Sequence, residues 1–251
     1  MLQNIKRPYL KFLPMLIATA SLAACSPAPT PVGIQDTLEK PNRGVHAFNK
    51  GADKIVVRPA SRAYGTVLPS PVRKGVSNFA SNLSLPGMVI NNLLQARIED
   101  AGTNAFRFAT NTVFGLGGLI DVATEAGIPL ERTDFGETLY VWGAPEGTYV
   151  ELPIIGPSTS RHTAGRIVDF FISPLNLIDT SPAAEVAVGS IVSARIGDRY
   201  TFSDLIDETL YESADSYTKA QLLYLQNRRF SLTGEAQVED FDPYEDADDL
   251  Q

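Results

Sequence analysis

Few side chains in this 251-residue chain are placed for covalent chemistry. Cys25 is its only cysteine, and His46 and His162 are its only histidines. One thiol allows neither an intrachain disulfide nor a Cys-x-x-Cys redox or zinc motif, and two separated imidazoles leave no His-rich metal cluster. Ser158, Ser160 and His162 lie close together, but there is no G-x-S-x-G elbow, and nearness along a chain is weak support for a nucleophile and its base. The D-F-G at 134–136 lacks the Gly-rich loop, V-A-I-K and H-R-D that would make it part of a phosphoryl-transfer site. The F-G-L-G-G-L at 114–119 is not followed by Lys-Ser/Thr, so it is no P-loop. These residues predict a protein that is not an enzyme, with no catalytic group, metal or cofactor.

The one thiol does have a chemical context. Lys6, Arg7 and Lys11 form a basic stretch, Phe12 to Leu22 is mostly apolar, and Leu22-Ala23-Ala24 leads directly into Cys25. This resembles the lipobox of a bacterial lipoprotein precursor, which implies cleavage before Cys25 and acylation of its sulfur and new amino group. The apolar run is about 11 residues and holds Pro14, short of the roughly 20 a spanning helix needs. At about 0.8 kcal/mol per buried methylene, three acyl chains would hold the protein on a membrane effectively permanently. Ser26 follows the cysteine where the usual inner-membrane retention residue would be Asp, which favours the outer membrane.

The whole chain carries 21 basic and 29 acidic residues, a formal charge of −8, which argues against nucleic-acid binding. Loss of residues 1–24 removes three bases and no acid and brings the charge to −11. Eight acids and no base lie between Glu235 and Gln251, so 235–251 reads as a self-repelling, disordered tail. Residues 25–35, with three prolines from Ser26 to Val32, read as a lipidated tether. The fold is therefore expected within 36–234.

Helical spacing dominates that stretch. Val45, Phe48, Ala52, Ile55 and Val56 predict a helix ended by Pro59, and Ser70 followed by Pro71 predicts a cap and first-turn proline ahead of Val72, Val76, Phe79 and Leu83. A third helix is expected from Pro86, a fourth from about Asp100 to Val113, others at 161–171 and 183–196, and a long one from Ser203 to about Phe230. Pro145, Gly147, Pro153 and Gly156 cut the β-type residues of 140–155 into pieces too short for a substantial sheet. Several helices of about 11 to 14 residues would be roughly 17–21 Å long, short of the ~30 Å hydrocarbon core but close to one leaflet. Such helices suit either a soluble globule or a body lying within half a bilayer. Gly115, Gly117 and Gly118 suit either a bend between membrane-facing segments or close helix packing. Arg58, Arg62, Arg73 and Lys74 suit either anionic headgroups or a solvated face, and Trp142, Tyr140 and Tyr149 either the headgroup level or a core.

Seven strings, in order, narrow these choices: P-N-R-G-V-H-A-F-N (41–49), R-P-A-S-R-A-Y (58–64), N-F-A-S-N-L (78–83), N-N-L-L-Q-A (91–96), R-F-A-T-N-T-V-F-G-L-G-G-L-I-D-V-A (107–123), D-F-G-E-T-L (134–139) and L-P-I-I-G-P-S-T-S-R (152–161). In content and spacing they resemble the MlaA (VacJ) lipoprotein family. The resemblance implies a mainly α protein: a ring-shaped bundle of short amphipathic helices with a long C-terminal helix and little or no sheet. It further implies an outer-membrane lipoprotein in the periplasmic leaflet that takes mislocalised phospholipids through an amphipathic channel and passes them to a soluble periplasmic carrier, in association with a trimeric porin. Asn42, Arg43, Gly115, Gly117 and Gly118 are its candidate channel or hinge residues, and Cys25 its lipidation site. A structural or cell-wall-binding lipoprotein without lipid transport is the alternative; a continuous amphipathic channel would discriminate the two.

Overall fold

The computed structural model describes residues 33–173 and 182–234 together with Pro27. Cys25, residues 1–24 and the acidic 235–251 segment lie outside the described residues, as does most of the expected tether.

The first helix, α1 (Glu39–Ala52), does not stop at Pro59. It passes through a π-helical turn, Asp53–Val57, directly into α2 (Arg58–Val67) with right-handed helical backbone at both junctions. Proline removes an N–H and crowds the preceding turn, so in a regular α-helix it breaks the ladder. Here the wider turn, closed by the Arg58 N–H on the Asp53 carbonyl, absorbs one residue and places Pro59 in the first turn of α2, where no bond is lost.

Proline also fails to divide the next helix. The expected second and third helices are one, α3 (Ser70–Leu94), with Pro86 inside it. Its N-cap is Pro69 rather than Ser70; the Pro69 carbonyl accepts from Val72 and Arg73, and no side chain caps the end. At 25 residues α3 would reach roughly 38 Å, so the merged helix is not among the several expected to be short enough for one leaflet. Its polar content decides the matter instead, and among the described residues no helix is both long and apolar enough to cross a membrane.

Then come α4 (Ile98–Val113), the short α5 (Val122–Glu125) and α6 (Phe135–Val141), β1 (Tyr149–Leu152), β2 (Gly156–Thr159), α7 (Ser160–Ile172) and α8 (Pro182–Thr201). The two strands form an antiparallel hairpin pairing Tyr149 with Thr159 and Leu152 with Gly156. The expected long final helix is interrupted: α9 (Ser203–Asp207) and a second π-helical turn, Glu208–Glu212, precede α10 (Ser216–Thr233). Asp215 causes the break, because its carboxylate accepts the backbone N–H groups of Tyr217 and Thr218 and so starts a new helix.

Packing closes these elements on themselves. The α1–α2 unit meets α8, α8 meets α3, α3 meets α6, α6 meets α7, and α7 meets the hairpin, which returns to α1. Outside that circuit α4 packs along α3, while α10 lies against β2 and the second π turn. The apolar core is small, formed by Tyr149, Tyr217 and Leu225 with Tyr224 against them.

Candidate functional site

Burial in this molecule runs opposite to that of a water-soluble globule. Among the described residues 7 hydrophobic side chains are buried against 22 polar or charged ones, while 31 large hydrophobic side chains are exposed. The exposed set gathers at Phe48, Ile55 and Val56, at Val113, Phe114, Leu116 and Ile120, at Ile154 and Ile155, and at Ile167, Phe170 and Phe171. Scattered exposed apolar residues are ordinary, but so large an exposed set beside so small a buried apolar one suits an interface or a membrane surface.

The polar interior is held by amides and ion pairs. Asn91 Nδ2 donates to Asp169 Oδ1 (2.8 Å), Thr138 Oγ1 donates to Asn91 Oδ1 (3.0 Å), and Gln95 Nε2 donates to Thr138 and Thr133 (2.9 and 2.7 Å), tying α3, α6 and α7 together. Asp134 caps α6 by accepting the Glu137 N–H and grips Arg228 of α10 through two bonds of 2.7 Å. Burial opposes ionisation of Asp134, but the hydrogen bonds and charge of Arg228 outweigh it and hold the carboxyl below its ordinary range. Arg107 makes a forked pair with Asp121 (3.0 Å to each oxygen), which also accepts from Asn111. A third cluster joins the two π turns: Arg199 bonds Asp53 and Asp207, Arg58 bonds Asp207, and Tyr211 donates to Asp53.

Within this framework lies a cavity of about 660 Å³ between α3, α4, α7, α8 and the loop around 130–134. Ser77, Asn78, Asn82, Asn91, Arg107, Asp121, Arg132, Asp134, Asp169, Arg195 and Asp198 form its polar wall; Leu83, Leu85, Met88, Leu130 and Ile191 form its apolar one. The wall is amphipathic, and it offers no nucleophile activated by a base.

The sequence-derived candidates fall in two places. Asn42 is buried at the α1–β1 seam, where its amide bonds Asp36 and the Tyr149 carbonyl and accepts the Glu151 N–H. Arg43 beside it is half exposed, pairs with Glu39 and Asp215, and stacks over Tyr217 at 4.5 Å. Neither is on the cavity wall. Gly115, Gly117 and Gly118 shape the turn between α4 and α5. A Cβ at Gly115 would meet the Ile120 carbonyl at 2.1 Å, and one at Gly118 would meet the Asn82 side chain at 2.6 Å, whereas Gly117 has open space and a φ of +73°. Both bend and packing are thus present in one segment.

Other side chains resolve differently from one another. Arg58 and Arg62 face Asp207, Arg73 stacks over Tyr200, and Tyr149 is a core residue. Trp142 is half exposed and donates to the Leu94 carbonyl, so it combines packing with an open edge. Ser158 bonds the Thr159 carbonyl and Thr163, Ser160 bonds the Thr148 carbonyl, and His162 bonds and stacks on Tyr224, so neither serine is hydrogen-bonded to the imidazole. Sequence reasoning missed Arg132, Asp169, Arg195 and Asp198. The recurrence of Ile191, Arg195 and Asp198 on one helical face is a signal for the last two, and nothing local marks Arg132 or Asp169.

The sequence model of the MlaA lipoprotein family matches residues 34–231, the span that includes this cavity and the closed circuit of helices. The chain belongs to the MlaA lipoprotein family. It is 34% identical over 230 residues, 90% of each chain, to the intermembrane phospholipid transport system lipoprotein MlaA of Escherichia coli K12. To the protein of the same name in Haemophilus influenzae it is 35% identical over 210 residues, covering 81% of this chain and 82% of that one. An uncharacterized protein of Rickettsia felis is 35% identical over 185 residues, 73% of this chain and 72% of its own. A solved structure described as "Structural basis for maintenance of bacterial outer membrane lipid asymmetry" superposes with a TM-score of 0.68 at 33% identity, covering 78% of this chain and 98% of the other. Membership of the MlaA family thus accounts for the mainly α architecture.

Proposed function

We propose that this protein is the lipoprotein component of an intermembrane phospholipid transport system, as its MlaA relatives are named, and that it maintains outer-membrane lipid asymmetry, the subject of the solved structure it resembles. In this reading Cys25 is acylated and anchors the chain in the periplasmic leaflet of the outer membrane. Residues 25–35 are the tether, 36–234 the lipid-handling domain and 235–251 an acidic tail. Phospholipid misplaced in the outer leaflet enters through an amphipathic passage, and a soluble periplasmic carrier receives it; a trimeric porin is the membrane partner.

The observation that carries the reading is the inverted burial. Hydrocarbon is a solvent in which exposed Phe, Ile and Val carry no penalty, whereas backbone and polar side chains must be satisfied internally. A fold with apolar side chains outside and amides and ion pairs inside suits an acyl region, and its amphipathic cavity suits a lipid with two chemically different ends. Physical transfer of an intact phospholipid needs no bond broken, in keeping with a wall that lacks an activated nucleophile.

The test uses cells of the source organism. Deleting the gene should raise the phospholipid at the cell surface that an added phospholipase can reach, and the full chain should restore the low level. Cys25→Ala should abolish acylation, leave the precursor uncleaved and fail to restore. Surface phospholipid that does not change on deletion would overturn the reading and favour a structural lipoprotein.

A further inference from the structure

Along α8, Ile191, Arg195 and Asp198 follow one another at steps of four and three residues, so they share one face, and all three line the cavity. From Ile191 to Asp198 the wall therefore changes from apolar to cationic to anionic over roughly 10 Å. That is the order of groups along an aminophospholipid: acyl chain, phosphate, ammonium.

The charges on this face are uncommitted. Elsewhere on the cavity wall Arg107 is paired with Asp121, and the carboxylate Asp134 is matched by Arg228. Among the described residues Arg195, Arg132 and Asp198 form no ion pair or side-chain hydrogen bond, although Arg195 and Asp198 are one helical turn apart. Two unpaired cations and one unpaired carboxylate, open to solvent on one wall of the cavity, are groups available to a ligand of complementary charge.

We propose that this wall recognises a zwitterionic headgroup, with Arg195 and Arg132 facing the phosphate, Asp198 facing the ammonium, and Ile191 on the acyl side. The proposal rests on the lipid-handling reading above and adds to it a headgroup class. An anionic headgroup such as phosphatidylglycerol would satisfy the arginines but would set no cation against Asp198. Diacylglycerol would satisfy none of the three.

The experiment offers the purified, lipidated full chain in detergent an equimolar mixture of phosphatidylethanolamine, phosphatidylglycerol and diacylglycerol of one chain length, with bound lipid quantified by mass spectrometry. The intact protein should enrich phosphatidylethanolamine over phosphatidylglycerol by about two- to fivefold, the range of a solvent-accessible ion pair. Asp198→Asn should bring that ratio to near one, and Asp198→Lys should invert it. Arg195→Gln should lower both phospholipids relative to diacylglycerol. Both positions are exposed and unpaired, so these variants should melt as the parent does. Bound phospholipid with a ratio unmoved by either Asp198 variant overturns the headgroup assignment and leaves the transport reading standing. No phospholipid bound by the intact protein overturns both.

Discussion

His162 shows how a single residue records its surroundings. It bonds the Tyr224 hydroxyl at 2.7 Å, stacks on that ring, and accepts from Arg166. Burial first, and then the charges of Arg228 and Arg166, lower its pKa to about 4, against the opposing attraction of Asp134. The folded protein therefore holds a neutral imidazole that the unfolded chain protonates near the ordinary value of 6.5. Between these two values the unfolded state binds the extra proton, so stability falls as pH drops from about 6.5 toward about 4. His162→Gln should flatten that part of the melting-temperature profile measured against pH, while leaving a decline due to carboxylates below it. Asn42 makes a complementary case in which hydrogen bonds rather than charge are at stake. Its amide joins α1 to β1 through two bonds and holds Asp36 with a third, and Asn42→Ala strands the Tyr149 carbonyl and the Glu151 N–H in a buried seam. Loss of about 2–3 kcal/mol is expected by denaturant titration, as for buried polar groups left unsatisfied.

At the scale of elements, two of the three glycines between α4 and α5 separate conformational from steric demands. Gly117 needs only its left-handed backbone, whereas Gly118 needs that and the absence of a Cβ against Asn82. Gly117→Ala should cost about 1–2 kcal/mol, the ordinary penalty for that backbone region. Gly118→Ala should cost more and should also disturb the cavity, since Asn82 lines it. Comparing lipid transfer with melting temperature for the pair distinguishes a shaping role from a packing one: equal loss of transfer at equal stability would contradict the difference drawn here. The π turn before α2 and the unbroken α3 teach a related point. Pro59 and Pro86 are read locally as boundaries, yet a helix already held by neighbours on several sides continues through them.

For the whole molecule the decisive property is which surface faces out. Phe114 and Leu116 are 71% and 70% exposed at the tip beyond α4, so they contribute little to the fold's internal packing. Replacing both by Asp should leave the melting temperature in detergent within a degree or two. It should weaken partition of the unlipidated chain into phospholipid vesicles by on the order of tenfold or more, given the loss of apolar area and the cost of two charges near hydrocarbon. Unchanged partition would mean that this tip does not enter the membrane.

Local properties were legible without tertiary structure. The thiol context of Cys25, the spacing of apolar residues in most helices, the limited sheet and the ordered family strings depend on short-range sequence, because caps, periodicity and motif order are properties of neighbouring residues. Three-dimensional contacts decided the rest. Asp207 meets Arg58 across 149 residues, Asn42 meets Tyr149 across 107, and Asp134 meets Arg228 across 94, so no local pattern reveals that these polar groups are interior. Period alone marks two faces of a helix and does not say which meets the interior and which faces out. In this fold the polar face is often the inward one, and only the packing of the elements against one another determines that.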